Sequence, residues 1–396
     1  MLTDHPALIV LAVAVAAPLL AEIPIGVRVP VVVLEVLLGM FIGPHVLGWL
    51  DASSFLTWMQ NAGTAALLFM AGMEIDFAKI RGRPLSLGIL GWAIAVGLAF
   101  VAVALLHVVP GVHAPLMVTI ALTTTSLGVI LSTLRDSGQM DAPFGRLLVA
   151  AGAVGEVAPI VAVALLLSTR FSTLQEFGLL FGFLALVALA ATVGSSARPP
   201  RVLALLSRTL HASTQLPIRL ILLLLAGMVV LAHELGLENI LGAFSAGMVI
   251  GLATRGEEGE PVRVKLDAVM FGWLTPFFFV GTGMQFDPSA LTRDFTTMLL
   301  IPTFLLLLLL VHWVPVFIYR GELTRPERLP FALSASVASL GLTMVITRIG
   351  VAAKHMNPDI AQALVAAAML SLLVFPTLAG ILLSRATPPA RSADSG

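Results

Sequence analysis

Cysteine is absent from the 396-residue sequence, and charged residues make up only 11% of it. Without cysteine, the fold contains neither disulfides nor thiolate metal sites. The formal net charge is zero, so the chain lacks the basic excess that nucleic-acid binding requires. The sequence also lacks a nucleophile triad, a metal-ligand spacing and a phosphate-cradling loop. We therefore expect no nucleic-acid partner, no enzymatic activity and no cofactor.

Apolar residues dominate instead. They form 58% of the sequence, and mean hydropathy is +1.02, far from the roughly 45–50% apolar content of soluble domains. Runs of about 17–25 apolar residues, each long enough to cross a bilayer as a helix, follow one another along the chain. No soluble domain fits between these runs. The sequence predicts an integral protein of the cell membrane, with the lipid bilayer as a partner.

The apolar runs predict an all-α polytopic fold of about thirteen transmembrane helices. Asp4 and His5 precede the first run, which has no basic residues before it, so we interpret it as a retained span and not a secretion signal. The polar tail, residues 385–396, is expected to be disordered. The predicted spans start near residues 6, 31, 59, 85, 115, 144, 176, 218, 239, 265, 296, 330 and 358.

Basic residues are unevenly divided between alternate connections. Of the 22 Lys and Arg residues, 18 fall in one set of connections, and only Arg170, Arg293, Arg348 and Lys354 fall in the other. The positive-inside rule then predicts an external N-terminus and a cytoplasmic C-terminus.

Three motifs of the first half return in order in the second half. Gly-Met-x-Ile-Gly occurs at residues 39–43 and 247–251, Gly-Met-x-x-Asp at 72–76 and 283–287, and Ser-Leu-Gly at 126–128 and 339–341. The separations are 208, 211 and 213 residues. Matching spans are an odd number apart, which predicts inverted repeats over spans 1–6 and 8–13. This architecture is typical of secondary transporters, whose substrate sites lie near the membrane midplane.

Glu156 is the one charged residue of an apolar run, residues 150–167. It is predicted ~18 Å of helix from either membrane surface, where insertion scales give a cost of about 2.5–3.5 kcal/mol for an acidic residue. A bound proton or cation lowers that cost. Glu156 is therefore the candidate proton site and the metal ligand for a transported monovalent cation. The alternative is a permanent ion pair, although the matching apolar segment of the second half, residues 363–380, has no acid.

Runs of small polar residues fall in the middle of spans 5 and 12, at residues 123–128 and 334–341. They predict helices interrupted at the midplane, whose hydroxyl and carbonyl oxygens coordinate a cation. Close helix packing through small residues is the alternative. The assigned residues are Thr124, Thr125 and Ser126 for cation binding, and Gly128, Ser339 and Gly341 for the crossing of the broken helices.

Three further ionisable residues are candidates for a role. His312, in span 11, is either a counter-charge or proton carrier for the Glu156 site or a neutral histidine bonded to a backbone carbonyl. Glu35 and Glu74 lie near the predicted cytoplasmic ends of their spans and indicate a cytoplasmic mouth or a structural cluster.

Four segments resemble recurrent signatures of the monovalent cation/proton antiporter-2 family, which contains the Kef-type and sodium/proton exchangers of bacteria. They are VPVVVLEVLLGMFIGPHVLG, ALLFMAGMEIDF, LGAFSAGMVIG and FFFVGTGMQFD. The resemblance covers about residues 28–384. It implies a homodimer in which a mobile core slides as an elevator, with spans 5 and 12 as two crossed broken helices. The implied divisions of one transmembrane domain, residues 1–384, are a dimerisation part (about 6–80 and 218–284), a core (about 85–170 and 296–384) and a linker helix (about 176–194).

In that family the transport site is an acidic pair, or an amide followed by Asp, in the span matching span 6. Here the two positions are Gly155 and Glu156, so the first member of the pair is missing. Electrogenic relatives also carry a Lys in the span matching span 11, where His312 is the nearest candidate. Both departures favour electroneutral exchange, and the sequence leaves open whether Gly155 alters or abolishes transport.

The expected function is electroneutral exchange of Na⁺ or K⁺ for H⁺ at Glu156 by alternating access. Two alternatives stay open: a symporter or uniporter for an organic ion on the same scaffold, and a non-transporting membrane sensor or subunit. The sequence does not distinguish Na⁺ from K⁺.

Overall fold

The computed structural model describes residues 5–23, 29–51, 53–74, 80–106, 115–140, 142–167, 182, 214–256, 259–289 and 295–386. Every regular element within these ranges is helical, and none of them contains a β-strand. The predicted linker helix lies outside these ranges except for residue 182. The predicted disordered tail lies outside them after residue 386.

Long apolar helices make up both halves of the chain. The first half contains α1 (Pro6–Ala21), α2 (Val31–Ile42), α3 (Ser54–Glu74), α4 (Arg83–Leu106), α5 (Pro115–Leu122), α6 (Leu127–Asp136) and α7 (Pro143–Leu167). The second half contains α8 (Leu216–Glu234), α9 (Asn239–Ala253), α10 (Glu260–Val269), a π-helical turn (Met270–Leu274), α11 (Thr275–Met284), α12 (Phe295–Trp313), a 3₁₀ helix (Val314–Tyr319), α13 (Arg325–Ala335), α14 (Leu340–Ala352) and α15 (Pro358–Ala386).

Seven helical segments of the described chain are long and apolar enough to cross a membrane, or eight when α13 and α14 count as one bent span. Shorter apolar helices, among them α1, α2 and α9, occur beside them. Each predicted span except the seventh coincides with a helical segment. The chain is a multi-pass membrane protein, whereas its orientation and the inversion of its halves stay predictions.

Three helices begin five residues before their predicted starts near residues 59, 265 and 330: they begin at Ser54, Glu260 and Arg325. The reason is clearest in α13. Thr324 and Glu327 form a capping box at its N-terminus, and a proline occupies the first turn. Because these residues stabilise a helix start, the polar segment that looked like a loop is the first turn of the helix.

The chain divides into two compact units. The first unit comprises Met1–Asp76 and Ile160–Arg293, and the second unit comprises Phe77–Pro159 and Asp294–Gly396. The assignment of one part to dimerisation and the other to movement stays a prediction.

Glycine contacts hold the first unit together. Gly39 of α2 lies against the backbone of Val280 in α11, and Gly247 of α9 lies against the backbone of Phe69 in α3. A methyl group on either glycine would overlap backbone atoms of the facing helix, so these close approaches require glycine. Gly247 follows Gly39 by 208 residues, and Val280 follows Phe69 by 211 residues. These separations equal those of the sequence motifs, which supports the predicted duplication.

Two spans of the second unit are interrupted. Residues 123–126, called the first break, separate α5 from α6, and residues 336–339, the second break, separate α13 from α14. The axes of α13 and α14 differ by 45°. An apolar cluster packs beside the breaks. In it the ring of Phe331 lies edge-on to the ring of Phe144, with 5.9 Å between the ring centroids, and its centroid lies 4.8 Å from that of Tyr319.

Candidate functional site

The two breaks meet inside the second unit. The backbone N–H of Ser126 donates to the carbonyl oxygen of Val337 at 2.8 Å, and the Thr125 hydroxyl donates to the carbonyl oxygen of Ala335 at 2.9 Å. A break leaves backbone groups without helical partners, and each break satisfies some of those of the other. The sequence run at residues 123–128 thus lies at a hydrogen-bonded crossing.

Glu156 lies on α7 at the start of α6. Its side chain is 8% exposed, and its Oε2 accepts from the Leu127 backbone N–H at 3.2 Å. Leu127 is the first residue of α6, so the carboxylate lies at the N-terminus of a helix, where free N–H groups and the helix dipole attract negative charge. The buried acid predicted from sequence is therefore in contact with the first break.

Hydroxyl groups surround this crossing. Thr123, Thr124 and Thr125 are 0%, 0% and 2% exposed. The Thr124 hydroxyl donates to the carbonyl of Ala121 at 2.9 Å and lies 3.2 Å from the hydroxyl of Thr343 on α14. Thr343 was not anticipated from the sequence, because a single threonine in an apolar helix carries no distinctive signal.

The second break has a different polar partner. The Ala338 backbone N–H donates to Ser371 Oγ on α15 at 3.1 Å, and the Ser371 hydroxyl donates to the carbonyl of Ala368 at 2.7 Å. Sequence reasoning missed this residue. Ser371 follows Glu156 by 215 residues, close to the repeat separation of 213, so a comparison of the two halves would have found it. Ser371 thus bonds a residue just before the N-cap residue Ser339, whereas Glu156 bonds the first residue of α6.

Gly155 leaves room for Thr125. A Cβ at position 155 would lie 2.6 Å from Thr125 Oγ1 and 2.7 Å from Thr125 Cβ, closer than van der Waals contact permits. The Gly155 carbonyl also accepts from the Thr125 backbone N–H at 3.0 Å. The residue before the acid has no space for a side chain, which gives a structural reason for the missing member of the acidic pair.

His312 contacts the first break through Thr125. Its Nδ1 lies 2.8 Å from the carbonyl oxygen of Leu308, and its Nε2 lies 3.3 Å from Thr125 Oγ1. A carbonyl oxygen only accepts, so Nδ1 carries a hydrogen. The single hydrogen of Thr125 then bonds either Ala335 O or His312 Nε2. His312 thus bonds a backbone carbonyl and also contacts Thr125 of the predicted cation site. Its role as a counter-charge or proton carrier stays a prediction.

The remaining predicted residues are distributed as follows. Ser126 and Ser339 are the N-cap residues of α6 and α14, and Gly128 and Gly341 lie in the first turns of those helices. Glu35, which is 6% exposed, and Glu74, the last residue of α3, belong to the first unit. The second unit thus contains all the predicted site residues except the two acids proposed as a mouth.

The described residues contain no group of three or more His, Asp or Glu side chains that could hold a metal ion.

Comparisons with known proteins agree with this fold. The family described as "Sodium/hydrogen exchanger, transmembrane" matches residues 9–385. The putative Na⁺/H⁺ antiporter YjbQ of Bacillus subtilis is 28% identical over 325 residues, which are 78% of this chain and 52% of that protein. The Na⁺/H⁺-K⁺ antiporter GerN of Bacillus cereus is 27% identical over 67% of this chain and 68% of its own. The chain thus spans about half the length of the Bacillus subtilis relative.

A solved structure has the same fold. The sodium proton antiporter MjNhaP1 from Methanocaldococcus jannaschii superposes with a TM-score of 0.63 over 96% of this chain and 98% of that one, at 17% identity. At this identity the likeness concerns the fold alone. The match to the family, by contrast, covers nearly every residue of this sequence. The chain belongs to the transmembrane sodium/hydrogen exchanger family.

Proposed function

We propose that this chain exchanges a monovalent cation, Na⁺ or K⁺, for a proton, and that both bind at Glu156. One observation carries the proposal: a carboxylate that is 8% exposed bonds the first residue of α6, directly after the buried threonines at residues 123–125. The expectation from sequence and the geometry of the break converge on the same side chain. The names of the relatives, which include Na⁺/H⁺ and Na⁺/H⁺-K⁺ antiporters, support exchange and leave the preferred cation undecided.

The cation would be held by oxygen atoms of the first break. Thr124, Thr125 and Ser126 supply hydroxyl and carbonyl oxygens, and Glu156 supplies the negative charge. Carboxylate, hydroxyl and carbonyl oxygens are hard ligands, which suit hard cations. An anion is disfavoured at this site because the carboxylate repels it.

Charge couples the two fluxes. An empty, ionised Glu156 resists passage through the apolar part of the membrane, since a charge at the centre costs about 2.5–3.5 kcal/mol on insertion scales. A proton or a monovalent cation neutralises the site equally. Only the two loaded forms then cross readily, so each cation that moves one way is exchanged for one proton and the cycle is electroneutral.

The transport cycle would use the two units differently. We assign the moving core of an elevator mechanism to the second unit, because it contains both breaks and Glu156, and the contacts of a homodimer to the first unit. The inverted duplication is supported by the matched glycine contacts, and the external N-terminus is supported by the charge asymmetry. Exchange of this kind in the cell membrane would serve pH homeostasis.

Reconstitution tests the proposal. Purified protein is incorporated into liposomes that contain a pH-sensitive dye, and outward or inward gradients of Na⁺, K⁺, choline or organic carboxylates are imposed in turn. We expect proton movement with Na⁺ or K⁺ only, at a rate that an imposed membrane potential does not change. Movement driven by an organic ion would support the symporter or uniporter, and no movement with any ion would support a sensor or subunit.

A further inference from the structure

Three helical spans of the second unit have their ends close together. The span Met298–Tyr319 finishes with the 3₁₀ helix, and two others begin at Arg83 and Arg325. Arg83 Nε lies 2.6 Å from Glu322 Oε1, which places the start of α4 beside the end of the 3₁₀ helix. Residues 320–328, called the arginine segment, contain the connection to α13 and its first turn. Since spans end at the edges of a bilayer, this segment lies at a membrane surface.

Arginines outnumber acids in the arginine segment. It contains three of them: Arg320, Arg325 and Arg328. It has only two acids, and both already have partners: Glu322 pairs with Arg83, and Glu327 accepts from the backbone N–H and the hydroxyl of Thr324. Within the ranges that the structure describes, no acid forms an ion pair with the three arginines. Their charge is therefore left for a partner outside the chain.

The fold keeps these three arginines near one another. Arg328 Nη2 donates to the backbone carbonyl oxygen of Arg320 at 3.3 Å, so its guanidinium lies against the main chain that carries Arg320. Arg325 and Arg328 are three residues apart on α13, and residues at that spacing are neighbours on a helix surface. Arg320 and Arg325 are exposed. Several guanidinium groups in one small region favour an anion with several oxygens, such as a phosphate.

An exposed apolar row runs along the span to Arg320. Its members are 55%, 44%, 40% and 53% exposed, in the order Leu306, Leu310, Val314 and Phe317. Side chains four residues apart share a face of an α-helix, and those three residues apart align in a 3₁₀ helix. Arg320 follows Phe317 by three residues, directly after the 3₁₀ helix, so it ends the same row.

The row and the arginines together match the two parts of a phospholipid. Acyl chains contact apolar side chains, and basic residues at a membrane surface attract anionic headgroups. A soluble anion would use the arginines and leave the apolar row unused. A lipid without net charge would use the row and gain little from the arginines.

We propose that the second unit binds an anionic phospholipid, with its acyl chains along the row from Leu306 to Phe317 and its phosphate at Arg320, Arg325 and Arg328. This site is built by other residues than the Glu156 site, and the inference does not depend on the proposed exchange. It adds a lipid partner, recognised by charge, to the part of the chain that contains both breaks.

Native mass spectrometry of the full chain tests the preference, with phosphatidylglycerol and phosphatidylcholine of equal chain length as probes. We expect phosphatidylglycerol to bind more tightly. Arg320→Gln/Arg325→Gln should weaken its binding about 25-fold, since each basic residue near a membrane surface contributes about fivefold, and should leave phosphatidylcholine binding unchanged. The matched control is Arg135→Gln/Arg219→Gln, which removes two exposed arginines elsewhere and should affect neither lipid.

Photo-crosslinking locates the lipid in the wild-type protein, so this test needs no variant to fold. Phosphatidylglycerol with a photoreactive acyl chain, in phosphatidylcholine vesicles, should label residues 306–317. Labelling only elsewhere would overturn the proposal, and so would equal binding of the two lipids or equal losses in the variant and its control. Displacement of the lipid by an equal concentration of inorganic phosphate would also contradict it, because the acyl chains would then contribute nothing. Lipid binding without cation–proton exchange would refute the proposed function alone.

Discussion

The two breaks of the second unit each interrupt a helical span, but different side chains bond to their backbone N–H groups. At the first break the backbone N–H of Leu127 is bonded by the carboxylate of Glu156, and at the second the backbone N–H of Ala338 is bonded by the hydroxyl of Ser371. The two N–H groups differ in position, because Leu127 is the first residue of α6 whereas Ala338 precedes the N-cap residue of α14. The second break shows that an interrupted helix can be bonded by a neutral hydroxyl, and we infer that the charge at the first break serves the proposed exchange.

The surroundings of the Glu156 carboxylate and the Ser371 hydroxyl also differ. Glu156 has Gly155 before it, and the space beside Gly155 is filled by the Thr125 side chain. Ser371 also bonds its own helix, at Ala368 O, as serines within helices commonly do. The first break thus combines buried threonines with a neighbouring carboxylate, whereas the second has a neutral hydroxyl contact between helices.

The largest expected effect comes from removing the charge at the first break. In Glu156→Gln the amide oxygen still accepts from the Leu127 N–H, so the cap is kept, but the group neither ionises nor attracts a cation. We expect cation–proton exchange in liposomes to fall at least about 100-fold, with thermal unfolding nearly unchanged. Undiminished turnover in this variant would refute the assignment of the site.

Restoring the acidic pair should have the next largest effect. In Gly155→Asp the new side chain overlaps Thr125, and overpacking of this kind costs about 1–3 kcal/mol. We expect a lower unfolding temperature and turnover reduced about tenfold or more. In the double variant Gly155→Asp/Thr125→Gly both Thr125 Oγ1 and Thr125 Cβ are removed and the overlap is relieved, so stability should recover in part and the exchange rate should become sensitive to an imposed membrane potential. If Gly155→Asp alone is as stable as the wild type, the close contact described here is wrong.

Acidic pH should weaken cation binding at the first break. Protons and cations compete for Glu156 in the proposed mechanism, so the apparent KM for Na⁺ or K⁺ should rise as pH falls. At the acidic end of the range the rise should approach tenfold for each unit fall in pH, as expected when about one proton competes per site. Initial rates at several cation concentrations and pH values measure this slope. A KM that does not change with pH would contradict competition, and a slope near two would indicate a second proton, for which His312 is the nearest candidate.

The smallest effect is expected at the second break. Ser371→Ala removes the acceptor for the buried Ala338 N–H and should destabilise the protein by about 1–3 kcal/mol, the cost of an unsatisfied buried donor. Turnover should change less than about twofold, because no charge is involved. A loss of exchange as severe as that of Glu156→Gln, in a folded protein, would show that the two breaks are functionally equivalent.

Much of the fold could be predicted from the sequence, because its causes are local. Apolar runs predicted the helical spans, and the family resemblance predicted the family. The hydroxyl-rich run at residues 123–128 lies where span 5 is interrupted, since such residues offer the backbone alternative partners. The late predicted start of α13 shows the limit of this reasoning: Thr324 and Glu327 are polar, but they cap a helix.

The parts of the site that escaped prediction depend on contacts distant in sequence. Ser371 resembles any helical serine until Ala338 is placed beside it, and Gly155 resembles a neutral small residue until Thr125 is packed against it. A small cavity lined by Trp92, Thr125 and Tyr319 joins five helical elements and the first break. Neither periodicity nor local motifs carry this information, so a structure was needed to find these contacts.

The close glycine contacts of the first unit affect how its helices can move. Where Gly39 meets the main chain at Val280, and Gly247 meets it at Phe69, there is no side chain that could rotate aside. Sliding of either helix pair would therefore break these close backbone contacts. Resistance to such sliding suits the stationary role that we propose for the first unit.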